Sequence, residues 1–121
     1  MNVLIVQSCA ELGLLWQRHM ERHDMRVTCT ATESGALAHL ANCPTDIIVL
    51  DLVIDEGAAL AVSDYANYRW PDAKVVFVTD TTFFSDGSIF AHCANARAFL
   101  PSSTRPEDLA AIVEHCGAQA G

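Results

Sequence analysis

Short apolar runs alternate with longer amphipathic segments along this chain. Residues 3–6, 47–50 and 75–78 are continuous apolar runs rich in β-branched side chains, which predicts strands buried on both faces. Residues 25–29 alternate between apolar and polar side chains instead, which predicts a strand with one wetter face near a sheet edge. Residues 98–100 form a short fifth candidate, closed by a proline. The pattern therefore predicts five strands.

The segments between these strands have helical periodicity. A first helix is predicted from a cap at Ser8 to about His23, and others over residues 33–42, 58–69 and, weakly, 85–94. The last helix begins at Thr104, whose spacing to Glu107 is that of a capping box, and ends at Gly117. The predicted buried faces are Leu12, Leu15, Trp16, His19 and Met20; Ala36, Leu37, Leu40 and Ala41; Leu60, Ala61, Tyr65 and Tyr68; and Leu109, Ile112, Val113 and Cys116.

The resulting order is a strand followed by a helix, five times. Such alternation predicts a parallel sheet covered by helices on both faces, a three-layer, doubly wound α/β fold of the flavodoxin-like type. With the alternating strand at the edge and the most apolar strands inside, the expected strand order is 2-1-3-4-5. We expect a single domain over residues 1–117, with a frayed tail at residues 118–121.

The composition narrows the class of protein. The 121 residues carry a net charge of −8 and only seven basic side chains, which argues against a nucleic-acid-binding domain. No apolar stretch approaches a membrane span and no signal peptide is evident, so a cytoplasmic protein is expected. The five scattered cysteines lack a C-x-x-C pair, and neither they nor the histidines have the spacing of a zinc site.

The predicted topology brings one set of polar residues together. In an open α/β sheet, ligands bind beyond the carboxyl ends of the strands, where the strand order reverses. The residues that close the strands are Gln7 and Ser8, Asp51, Thr79, and the pair Pro101–Ser102. Asp51 is then expected at the rim of a crevice, and not in the dry middle of the sheet. A carboxylate at such a position can act as a nucleophile toward a phosphoryl group.

These motifs, in this order and spacing, resemble the CheY-like receiver domains of bacterial two-component response regulators. The resemblance covers nearly the whole chain and rests on V-L-I-V, I-I-V-L-D-L, V-V-F-V-T, A-F-L-P and T-R-P-E-D-L. It implies that Asp51 is the phospho-acceptor, Thr79 the switch hydroxyl and Phe99 an aromatic that rotates on activation. It further implies a sensor histidine kinase as phosphoryl donor, assistance by Mg²⁺, and signalling through a face made of the helix at 85–94, the fifth strand and the last helix. A homodimer through that face is a further expectation from the resemblance.

The chain also departs from the family pattern. Gln7 and Ser8 replace the acidic pair that holds Mg²⁺, and Ser102 replaces a lysine that pairs with the phosphoryl group. Mg²⁺ prefers anionic oxygen ligands, so we expect weak or absent binding through Asp51 and the Val53 carbonyl, with Asp55 or Asp80 as substitute ligands. The one lysine, Lys74, precedes the fourth strand at the opposite end of the sheet.

Three functions follow as hypotheses. The first is a stand-alone receiver in phosphorelay signalling that acts by protein–protein contact, with Asp51 a weak phospho-acceptor. The alternative is a small-ligand-binding flavodoxin-like module that uses the same crevice, although no glycine-rich phosphate loop follows the first strand. An enzyme is not expected, because no base oriented by a third group can be placed at the strand ends. Two adjacent phenylalanines cannot both face one core, so one of Phe83 and Phe84 is expected at the surface, as part of a partner site.

Overall fold

Five strands and four helices occur within the residues that the structure describes. The structure is a computed structural model, and it describes residues 2–51, 56–79, 96–101 and 104–118. The elements are β1 (Asn2–Val6), α1 (Ala10–Glu21), β2 (Arg26–Thr30), α2 (Glu33–Asn42), β3 (Ile47–Asp51), α3 (Glu56–Arg69), β4 (Lys74–Thr79), β5 (Ala96–Pro101) and α4 (Pro106–Ala118). The predicted helix at 85–94 and the Phe83–Phe84 pair lie outside these residues.

The strands form one parallel sheet in the order β2-β1-β3-β4-β5, as the sequence predicts. All five residues of β3 are buried, whereas β2 at the edge is half-exposed along its length. This difference follows from position, because an inner strand is covered on both faces and an edge strand is not. The β1–β3 register pairs Val6 with Leu50, and β3–β4 pairs Asp51 with Val78.

Alternate side chains of the sheet point into two separate cores. Leu4, Val6, Ile48, Leu50 and Phe77 pack with Ala36 and Leu40 of α2 and with Val62 and Ala66 of α3. Val3, Ile5, Ile47, Val49 and Val76 pack with Trp16 and Met20 of α1 and with Leu109 and Val113 of α4. The three-layer α/β architecture is therefore confirmed, with two helices on each face among the described residues.

The predicted helix faces are correct only in part. Trp16, Met20 and Leu40 are fully or almost fully buried, but Leu15 is 41% exposed and Tyr68 is 81% exposed. Ala41 and Ala61 are exposed as well, and Val62 and Ala66 form the buried face of α3 instead. The reason is that a run of apolar residues fits several helical phases, and packing against the sheet selects one.

The predicted helix ends also differ from the observed ones. Cys9, and not Ser8, precedes the first residue of α1, and no side chain caps that end. Helix α4 begins at Pro106, where the missing N–H of proline is of no consequence, so Thr104 lies too far upstream to be the N-cap. Helix α4 also passes Gly117 and includes Ala118; residues 119–121 lie outside the described residues.

Gly13 of α1 is a buried helical glycine, and alanine is expected to stabilise the fold there. A Cβ at Gly13 would lie 3.5 Å from Gln7 Cβ and 3.7 Å from Cys29 Sγ, which are ordinary van der Waals separations. Because glycine is the poorer helix former, Gly13→Ala should raise the free energy of unfolding by about 0.5–1 kcal/mol. Urea denaturation followed by circular dichroism measures this change.

Gly35 of α2 provides the matched control. A Cβ at Gly35 would overlap with Thr30 Oγ1 and lie 3.2 Å from Thr32 Oγ1, the side chain that caps α2 by accepting from the Gly35 N–H. Gly35→Ala should therefore give no stabilisation. An equal gain at both positions would contradict the close packing of α2 against β2.

Candidate functional site

Asp51 is the last residue of the central strand β3, and it is buried. Asp51 ends its strand as predicted, and only 4% of its surface is exposed there. Asp51 continues the alternation of Ile47 and Val49, which places it on the face of the sheet covered by α1 and α4. A carboxylate in such surroundings is stable only with polar partners.

Gln7 follows β1 directly, on the same face of the sheet as Asp51. Its backbone N–H donates to the Thr30 carbonyl at 3.0 Å, which continues the pairing with β2 by one residue. Since Val6 pairs with Leu50, extending that register places Gln7 alongside Asp51. The side-chain Oε1 accepts from the Cys9 N–H at 3.0 Å, while the buried Nε2 has no acceptor among the described residues.

Few groups that could bind a metal ion lie among the described residues at these strand ends. Asp51 is the one carboxylate among them; Ser8 is exposed, and the Gln7 oxygen already accepts from the Cys9 N–H. Within the described ranges, no group of three or more His, Cys, Asp or Glu side chains is placed to hold a metal. Mg²⁺ in proteins is held by one or two carboxylates with waters as its other ligands, and this set offers it a single carboxylate. The other predicted ligands, Val53, Asp55 and Asp80, and also Ser102, lie outside the described residues.

Thr79 ends its strand at the predicted crevice, and Phe99 lies in the predicted fifth strand. Val78 of β4 pairs with Asp51, and Thr79 is the next residue and the last of β4. Asp51 and Thr79 therefore end neighbouring strands at the carboxyl end of the sheet. Phe99 lies in β5 beside Phe77 of β4. The switch roles of Thr79 and Phe99 stay predictions. Lys74 begins β4, and its backbone N–H donates to the Asp46 carbonyl. This lysine therefore lies at the amino-terminal end of the strands, as expected.

Sequence reasoning missed a second group of polar residues, which lies between α1 and the end of β2. Cys29 is exposed as a residue, but its Sγ lies 3.3 Å from both the Gly13 carbonyl and Gln17 Oε1, which share the one thiol hydrogen. Burial of the thiol, and then the charge of Glu21, raise the pKa of Cys29. The pattern of residues 25–29 placed Cys29 on the apolar face of its strand but gave no sign of these partners.

Cys29 is therefore expected to react slowly with alkylating reagents. A raised pKa means a smaller thiolate fraction at any given pH, and the thiolate is the nucleophile. The pH profile of iodoacetamide alkylation at Cys29, read by peptide mass spectrometry, should lie at higher pH in the folded protein than in urea. Coincident folded and unfolded profiles would contradict the environment described for this thiol.

The parallel order β2-β1-β3-β4-β5, with an aspartate ending β3 and a threonine ending β4, defines the fold as that of CheY-like receiver domains. The chain is similar to a CheY-like response regulator receiver domain from Methanospirillum hungatei JF-1, with a TM-score of 0.87, 18% identity, and coverage of 98% of this chain and 94% of that one. No protein-family model and no curated protein matches the chain.

Two further structures show the same fold at low identity. The beryllofluoride-activated NtrC4 receiver domain dimer has a TM-score of 0.86 and 17% identity, with 99% of this chain and 98% of that one covered. The Thermotoga maritima response regulator TrrA, solved with Mg²⁺ and beryllofluoride, has a TM-score of 0.79 and 16% identity, with 95% and 97% covered. Likeness at this level of identity establishes the fold.

No helix in the described ranges combines the length and the apolarity needed to cross a membrane.

Proposed function

We propose that this chain is an atypical response regulator receiver domain of the cytoplasm that signals by protein–protein contact. Asp51 is a weak phospho-acceptor in this proposal, and the chain performs no reaction on an external substrate. The observation that carries the proposal is the position of Asp51, which ends the central strand of a receiver fold beside the strand that ends at Thr79. A carboxylate at that position can form an acyl phosphate, and a neighbouring hydroxyl can donate to it.

The same site explains why phosphorylation should be weak. Phosphoryl transfer depends on cationic groups that neutralise the developing charge, chiefly Mg²⁺ and a lysine. Gln7 and Ser8 supply no carboxylate for the metal, and the sole lysine lies at the amino-terminal end of the strands. We therefore propose that Mg²⁺ binds weakly, and that Gln7 supplies an amide in place of an acidic ligand.

The partner in this proposal is a sensor histidine kinase or another signalling protein. Glu107 and Asp108 are exposed in the first turn of α4, where both pair with Arg105, and Glu114 pairs with His23. The net charge of −8 opposes association of two copies and favours a basic surface on a different protein. A homodimer through the face that includes β5 and α4 is retained as a second form of the proposal, and the similar NtrC4 receiver domain is itself a dimer.

Acetyl phosphate labelling tests whether Asp51 is the acceptor. Wild-type protein should gain one phosphoryl group slowly, as measured by intact-protein mass spectrometry over time. Asp51→Asn should abolish the gain, because asparagine cannot form the acyl phosphate. Asp64→Asn, which changes an exposed aspartate on α3, is the matched control and should label like the wild type. Undiminished labelling of Asp51→Asn would place the acceptor elsewhere and refute the proposal.

A further inference from the structure

A cavity of about 280 Å³ lies at the amino-terminal end of the sheet, between the edge strand β2 and the end of α2. The polar residues that line it are Asn2, Arg26, Thr28, His39 and Cys43. Asp51 and Thr79 end their strands at the carboxyl end of the sheet. The cavity is therefore separate from the site proposed for phosphorylation.

The side chains of Arg26 and Thr28 lie on the face of the sheet that borders this cavity. Val27 packs in the core with α1 and α4, and the Cys29 thiol contacts α1. Because side chains alternate along a strand, Arg26 and Thr28 lie on the opposite face, which α2 covers. Both residues are exposed, so a molecule from solvent can reach them.

The donors of the cavity have no partners within the chain. Among the described residues, no hydrogen bond or ion pair involves the Arg26 guanidinium, the Thr28 hydroxyl or the His39 imidazole. Arg105, by contrast, donates to the Asp108 carboxylate at 3.2 Å. A guanidinium without a carboxylate partner is unusual in a protein with a net charge of −8, and it is free to bind an anion.

The charge of the lining residues determines the chemistry of the ligand. No aspartate or glutamate lines the cavity; Asp46, which accepts from the Asn2 N–H, lines a neighbouring one. His39 and Cys43 are metal-ligand types, but the charge of Arg26 opposes a cation. The carbonyls that end α2 oppose an anion, although this effect is screened at the surface. A guanidinium that donates two parallel hydrogen bonds to an oxyanion outweighs it.

We propose that this cavity binds a phosphate group, either as inorganic phosphate or as part of a small phosphate monoester. The Arg26 guanidinium pairs with two phosphate oxygens, and Thr28 and His39 can donate to the others. Val3 and Pro44 complete the wall and offer apolar contact to the body of a monoester. The inference does not depend on Asp51. It also differs from the ligand-binding alternative raised by the sequence, which places the ligand where the strand order reverses.

Titrations of the ¹⁵N-labelled full-length protein, followed by ¹H–¹⁵N NMR, test the site. Inorganic phosphate and glycerol 3-phosphate are compared with chloride at equal ionic strength and pH. Phosphate should shift the amides of Arg26, Thr28 and Cys43 and the Nε–Hε signal of Arg26, with saturation, and chloride should not. Tighter binding of glycerol 3-phosphate identifies a monoester as the ligand, and equal or weaker binding identifies inorganic phosphate. Equal shifts in chloride, shifts confined to other regions, or no saturable shift would overturn the proposal.

Two arginine variants separate the cavity from the net charge of the protein. Arg26→Gln removes the guanidinium, so the Kd for phosphate should rise by about fivefold to tenfold. Arg18→Gln removes the same charge from an exposed position of α1 that lines none of the cavities formed by described residues, and it should bind like the wild type. Equal effects of the two changes would refute the assigned contact. If Arg26→Gln does not fold, the Arg26 Nε–Hε signal of the wild type decides the question. Asp51→Asn should bind phosphate like the wild type, which keeps this test separate from that of phosphorylation.

Discussion

Replacing Gln7 and Ser8 by aspartate and Ser102 by lysine in one protein is expected to raise the rate of Asp51 phosphorylation by acetyl phosphate. In the presence of Mg²⁺ the initial rate should increase by about two orders of magnitude, because a metal ion and a lysine each stabilise the charge of the transferring phosphoryl group. Intact-protein mass spectrometry measures the rate. The triple variant should also show a higher unfolding temperature when Mg²⁺ is added, since metal binding relieves the repulsion between neighbouring carboxylates.

Variants that carry only some of these changes show whether the acidic pair or the lysine limits the reaction. The double change at Gln7 and Ser8 should restore the thermal response to Mg²⁺ without the full rate, because the lysine is still missing. Asp51→Asn in the triple background should abolish labelling. If the triple variant folds, binds Mg²⁺ and still labels at the wild-type rate, the replaced residues are not what limits phosphorylation.

Phe77→Ala should produce the largest loss of stability. Phe77 is fully buried in β4 within the core formed with α2 and α3, and alanine there leaves a cavity. The expected loss in the free energy of unfolding is about 3–5 kcal/mol, a large share of the roughly 5–15 kcal/mol of a typical domain. Urea denaturation measures it. Tyr68→Ala removes an 81% exposed aromatic and should change stability by less than about 0.5 kcal/mol.

Comparable effects of Phe77→Ala and Tyr68→Ala would contradict the core described here. Phe77→Leu should lie between the two, since leucine refills much of the space.

The sheet was predictable because burial on both faces leaves a strong local signal. Residues 47–50 are apolar without interruption, and they form the fully buried part of β3. Residues 25–29 alternate, and the corresponding β2 lies at the edge. The apolar pattern of each strand thus indicates how far that strand is buried, and the right-handed crossover rule then limits the possible strand orders.

The helix faces were less predictable, because their phase depends on partners far along the chain. Residues 12–16 of α1 include three leucines and a tryptophan, and helical spacing groups Leu12, Leu15 and Trp16 on one face. Packing against Val3, Ile5 and α4 buries Trp16 and leaves Leu14 and Leu15 exposed. Tyr68 was assigned to a buried face by spacing alone, although tyrosine is also tolerated in contact with water.

Some features of the candidate site were also predictable from the sequence, and others were not. Topology alone predicts that Asp51, Gln7 and Thr79 lie together, because residues that end neighbouring parallel strands meet at the carboxyl end of the sheet. The burial of Asp51 and the unmatched Nε2 of Gln7 depend on side-chain packing, which no periodicity reveals. The contacts of Cys29 with Gly13 and Gln17 join residues without a shared motif, so only the folded chain brings them together.

The Mg²⁺ dependence of Asp51 labelling in the wild-type protein tests the central claim most directly. The initial rate of phosphorylation by acetyl phosphate is measured with excess Mg²⁺ and again with EDTA, with Asp51→Asn as the blank. Because Asp51 lacks the acidic pair and the lysine, both rates should be slow, and excess Mg²⁺ should raise the rate only slightly. Rapid labelling that requires Mg²⁺ and disappears in Asp51→Asn would show a fully equipped receiver and contradict the account.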